Sequence, residues 1–154
     1  MAATSGLVRR QLTECWSTRR VPIAALQLME GWLLQYDESA SGDPVIECED
    51  TADDKFAGIA METVDNTTGG LGLGAGNAYI KVCTAGKAIV ELSTTPALAD
   101  LGASVFAIDG DTVSLAAGAT NDVYVGFISQ WENVADPHSR TNAVEITFGR
   151  DNRD

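Results

Sequence analysis

A single histidine, three cysteines, four prolines and no apolar run of membrane-spanning length leave this 154-residue chain few starting points for chemistry. His138 lies in Asp136-Pro137-His138-Ser139-Arg140. Neighbours on one turn cannot supply the separate nucleophile, base and orienting group of acyl transfer. Cys15, Cys48 and Cys83 are odd in number and far apart, which argues against a disulfide framework and against a CxxC zinc site, so reduced structural thiols are expected. The first residues carry charge by Arg9 and contain no apolar stretch before a small-residue cleavage site. No secretory signal is therefore expected, and the chain is read as made in the cytoplasm and soluble.

Positive charge is scarce as well. Net charge is -12 at pH 7, and between Val21 and His138 the only basic residues are Lys55, Lys81 and Lys87. Arg9, Arg10, Arg19 and Arg20 instead crowd the first twenty positions. An acidic body repels phosphate backbones, so nucleic acid is excluded as a first partner.

Three patterns suggest chemistry and then fall short. The glycine run Gly69-Gly70-Leu71-Gly72-Leu73-Gly74-Ala75-Gly76 never brings a third glycine into GxGxxG register, and no helix pattern follows. Ala85-Gly86-Lys87-Ala88 lacks the upstream glycine and following Ser/Thr of a phosphate loop. The cluster Glu47, Glu49, Asp50, Asp53 and Asp54 offers carboxylates to calcium without the spacing of a calcium loop, and reads as a solvated face. No catalytic, metal or cofactor residue is assigned. The Asn66-Thr67-Thr68 sequon means little without a secretory route.

What is present is β pattern. From Lys55 to Phe148 short apolar runs alternate with breaks carrying Gly, Asp, Asn or Pro. Trp32–Tyr36, Val45–Cys48 and Phe56–Met61 read as strands, with Gly58 marking a bulge or a close backbone approach. Thr63 to Gly76 reads as a mobile surface loop. Ala78, Ile80 and Val82 alternate inward, and so do Ala88, Val90 and Leu92. Together they predict a hairpin turning at Thr84-Ala85-Gly86-Lys87. A second hairpin is predicted at Asp109-Gly110, a pair that meets the φ > 0 requirement of a two-residue turn. Val123, Val125 and Phe127, then Val144, Ile146 and Phe148, supply the last strands. The expected fold is all-β, a small antiparallel β-sandwich or barrel with an extended N-terminal arm.

One domain's length of chain divides by composition into a basic arm over 1–20, a β-rich body over 21–149 and a polar tail over 150–154. In the arm, Leu7, Leu12, Cys15 and Trp16 give at most a short helical stripe, and a flexible tail is the other reading. Trp16 between arginine pairs also suits docking, since aromatic and Arg side chains dominate interface energetics. Val21 to Met29 fits a helical turn or an extended segment.

The order of these elements resembles a known family. Glu30-Gly31, an acidic connector into Phe56-x-Gly58-Ile59-Ala60, Val82-x-Thr84-x-Gly86-x-Ala88-x-x-x-Leu92, Leu101-Gly102-x-x-Val105-Phe106, the Asp-Gly hairpin, Val125-Gly126-x-Ile128 and Val144-x-Ile146-x-Phe148 follow one another as in the small capsid decoration, or cement, proteins of tailed bacteriophages. The resemblance implies a non-enzymatic β-rich protein on the outer surface of the virion head. Its partner would be the major capsid protein, whose subunit contacts it reinforces, commonly as a homo-oligomer such as a trimer. The arm before Val21 matches no family pattern. Its assignment as the capsid-binding segment, through Arg9, Arg10, Trp16, Arg19 and Arg20, rests on charge and residue type alone. The rival expectation is a carbohydrate-binding module with Trp32, Tyr79, Tyr124 or Trp131 as sugar platforms.

Overall fold

The computed structural model describes residues 11–49, 55–116 and 123–149, which form eleven strands and one short 3-10 turn at Leu98–Asp100. In chain order the strands are β1 Leu12–Ile23, β2 Gln27–Leu28, β3 Leu33–Tyr36, β4 Val45–Glu47, β5 Phe56–Ala60 and β6 Val64–Asp65. Then come β7 Ala78–Leu92, β8 Ser104–Ala107, β9 Thr112–Ser114, β10 Tyr124–Gln130 and β11 Ala143–Phe148. Nearly everything is β, as the alternation required.

β7 is the axis of the molecule. Along one edge it pairs with β5 and then β11, and along the other with β1 and then β9. The remaining ladder, β1-β4-β3-β5 on one side and β11-β10-β8-β9 on the other, returns to β7 at both ends. The result is one large mixed sheet with two closed circuits of pairing through a shared strand. Pairing is not wholly antiparallel as expected, because β1 meets β4 in parallel at Ile23–Val45 and β7 meets β9 in parallel. Each parallel contact joins strands that are not consecutive in the chain, which alternation along a single strand cannot reveal.

The core forms two clusters that follow the circuits only in part, since Leu33 of β3 and Ile59 of β5 join the cluster of β10 and β11. One cluster gathers Val21, Ile23, Leu28, Leu34, Val45, Ile80 and Val82, and the other Ala88, Val90, Leu92, Val105, Val125, Ile128, Val144, Ile146 and Phe148. β7 feeds both, through Ile80 and Val82 in its first half and Val90 and Leu92 in its second. Each such aliphatic side chain removed from water contributes about 1.5–3 kcal/mol before conformational entropy is counted.

This arrangement corrects the hairpin expected at Thr84–Lys87, since β7 runs straight through it. Gly86 does not take a positive φ. A Cβ there would lie 2.2 Å from the carbonyl oxygen of Glu14, so the glycine admits the backbone of β1. Gly58 does have the close approach its position suggested, with φ 142° and an added Cβ 2.3 Å from the Cys83 carbonyl oxygen. The hairpin at Asp109-Gly110 is present as β8–β9, but its loop takes in Ile108 to Asp111 and Gly110 is not left-handed. The Asp109 carboxylate accepts from Asp111 N and Thr112 N, both at 3.0 Å, and shapes the turn instead.

The glycine-rich stretch is also more ordered than a mobile loop. It opens with β6, which pairs with β2, and then wraps around buried Asn66. The Asn66 side-chain nitrogen donates to Ala24 O and Gly74 O, and its Oδ1 accepts from Leu73 N. Gly72, Gly74 and Gly76 take the positive φ values that close the wrap. The nitrogen that a glycan would need is thereby committed to the fold.

Candidate interaction surface

β1 is the element that differs most from expectation. From Leu12 onward the predicted helical stripe or flexible tail is replaced by a strand lying antiparallel along β7. The reduced-thiol expectation fails at the same place, because Cys15 and Cys83 form a disulfide across 68 residues of sequence, with Cα atoms 5.9 Å apart. Sequence spacing could not show it, since the pair meets only once β1 lies on β7. Cys48 remains a buried thiol.

The register along β1 shifts between Leu12 and Glu14, between Cys15 and Ser17, and between Ser17 and Thr18. An extra residue in one strand bends it and redirects a side chain, and Trp16 occupies such a position. The consequence is a ridge on which Thr13, Glu14, Trp16, Ser17, Thr18, Arg19 and Arg20 are all exposed. The indole is 41% exposed, and its Nε1–H donates to Glu14 Oε1 at 3.0 Å. Beneath it the Ser17 and Thr84 hydroxyls bond to each other, so disulfide and hydroxyl pair together pin the ridge to β7. Arg20, 63% exposed, stands 3.8 Å from Glu62, a surface contact worth at most about 1 kcal/mol. Beyond the ridge, Arg19, Arg20 and Pro22 face Tyr36, Glu38 and Asp43 across a cleft of about 470 Å³.

Trp16, Arg19 and Arg20 are thus brought together on one pinned strand. Arg9 and Arg10, the other two expected docking residues, lie outside the described residues. So do Asp50, Asp53 and Asp54 of the acidic cluster and the tail over 150–154. Of that cluster, Glu47 accepts from Gly110 N at 3.0 Å, and with Glu49 and Asp109 it edges an apolar-walled hollow of about 400 Å³. Among the described residues no three His, Cys, Asp or Glu side chains are grouped to hold a metal. Of the four aromatics considered as sugar platforms, Trp32 is buried, Tyr124 and Trp131 are half-buried, and Tyr79 is exposed. Tyr124 packs edge-on against Phe106.

The ridge begins at a polar knot that no motif announced. Buried Gln11 donates from Nε2 to Gly31 O and Gly110 O, and its Oε1 accepts from Arg140 at 2.6 Å. Arg140 also donates to Ile89 O and to both oxygens of Asp136. Burial raises the Asp136 carboxyl, but the bonds from Arg140 and from His138 N outweigh it and hold the pKa down at about 2. Nearby, burial, reinforced by the hydrogen bond and charge of Asp109, lifts Asp111 to about 7 against the pull of Thr112 and Arg140. His138 serves this loop through its backbone. Gln11 and Arg140 are 129 residues apart, so only folding reveals the pair.

Chemically the ridge offers an aromatic knob, two guanidinium groups and a carboxylate on a stiff support, which suits contact with another protein surface. No family model, curated protein or solved structure matches the chain.

Proposed function

We propose that the chain is a non-enzymatic virion structural protein, a capsid decoration protein. It would bind the outer surface of a tailed-phage head and reinforce contacts between major capsid protein subunits. The observation that carries the reading is the ridge of β1, where Trp16, Arg19 and Arg20 are exposed on an otherwise acidic molecule and held in place by the Cys15–Cys83 bridge. The order of elements favours that family, and the ridge offers a means of attachment. In this reading the two circuits act as small barrels sharing β7, a body rigid enough to transmit strain between subunits. Arg9 and Arg10 would add their charge to pairing with carboxylates of the shell. A homo-oligomer on a symmetric lattice multiplies weak contacts into firm retention.

The test is co-sedimentation with purified tailed-phage heads that carry no decoration protein. Trp16→Ala and Arg19→Glu are each expected to weaken attachment about tenfold or more while changing folding stability by less than about 0.5 kcal/mol. Wild-type retention by both variants overturns the assignment of the ridge. Absence of wild-type binding overturns the function.

A further inference from the structure

The charges on the ridge run in one order. Glu14 stands near its start, Trp16 at the bulge, and Arg19 and Arg20 at its end, with every one of these residues exposed. Such a sequence is complementary to itself when reversed. A two-fold axis near Ser17 sets Glu14 of each copy opposite Arg20 of the other, and brings the two indoles together beside the axis.

We propose that in the free protein this ridge is occupied by the ridge of a second copy, an isologous dimer that hides Trp16 until a shell is met. The inference rests on the reading of the ridge as a docking surface. Charge selects the occupant and its orientation. With a net charge of -12, two copies repel over most of their surfaces, and reversed ridges are an approach in which each side supplies cations to the other's carboxylate. Continuous strand addition along β1 is not the mode. The shifts around Trp16 break the repeat of N–H and C=O groups, and Pro22 carries no N–H. Contact therefore runs through side chains. Arg20 loses only the long, exposed contact with Glu62 when it turns to Glu14 of a neighbour. Because the same side chains serve both contacts, self-association and attachment to heads compete.

Analytical ultracentrifugation of the full chain across a dilution series tests this. The wild type is expected to show a two-chain mass that falls to one chain on dilution. Glu14→Arg and Arg20→Glu each oppose like charges at two symmetric places and are expected to weaken the dimer about tenfold. Mixing the two single variants should restore a two-chain species, since each then carries the sign its neighbour lacks; the double variant should restore it as well. Circular dichroism and retention of the Cys15–Cys83 bridge confirm that each variant is folded, and Trp16→Ala gives an independent loss of association. A monomer at every concentration, a trimer, or failure of the mixed variants to associate overturns the proposal. Head co-sedimentation is read separately. A monomer that binds heads removes the dimer alone, and a dimer that ignores heads removes the capsid reading alone.

Discussion

β1 and β11 both lie antiparallel along β7, yet they are held by opposite means. β11 pairs with β7 without a register shift from Ala143–Glu91 to Phe148–Gly86, and buries Val144, Ile146, Thr147 and Phe148. β1 shifts register three times, exposes seven of the eight residues from Thr13 to Arg20, and is fastened by a disulfide, a hydroxyl pair and the Gln11 knot. Apolar burial uses up side chains, whereas covalent and backbone attachment leaves them facing solvent. Under the proposed docking role, a strand that presents Trp16 and two arginines is better held in the second way.

The largest effect expected from breaking this contrast is on the β11 side. Phe148 is fully buried and meets Phe56 edge-on at 5.9 Å, so Phe148→Ala should cost about 4 kcal/mol in chemical denaturation, spread over the whole molecule. An effect confined to β11 would contradict a shared core. Next in size is the disulfide. Replacing Cys15 and Cys83 by serine should cost about 3 kcal/mol and strip hydrogen-exchange protection from the ridge before β11 loses any. Equal loss in both strands would erase the distinction between them.

The remaining expected effect is a pH dependence at the knot, which ties the start of β1 to the loop leading into β11. Asp111 ionises at about 7 in the fold against 3.8 as its ordinary value, so the folded state favours its protonated form. Its contribution is therefore full below 3.8 and is lost as pH rises through about 7. Asp136 has the opposite sign, keeping its contribution at neutral pH and losing it only as pH falls toward about 2. Thermal melts across this range should show a decline toward neutrality that Asp111→Asn flattens. An unchanged slope in the variant would show that Asp111 does not set it.

Local pattern was a good guide where one strand's two faces see different surroundings. The runs at Leu33–Tyr36, Val45–Glu47, Phe56–Ala60 and Ala143–Phe148 are strands as their composition required. Pattern misled where a residue serves a distant neighbour. Gly86 resembles a turn residue, but makes room for Glu14, and Gly110 resembles a φ > 0 residue, but makes room for Glu47 and Trp32. Trp16, Arg19 and Arg20 stood out from the sequence as docking residue types, while the strand presenting them did not. Their segment has no apolar alternation because, from Thr13 to Arg20, only Cys15 packs against the core.

The sequence by itself determined that the chain would be β-rich, acidic and marked by an aromatic and arginines near its start, because composition and period-two alternation are local properties. Only the tertiary structure decided that β7 would be one strand shared by two circuits, that Cys15 would meet Cys83, and that Gln11 would find Arg140. Each of those depends on which distant segments lie side by side, and that choice is made by the burial and backbone pairing of the whole chain.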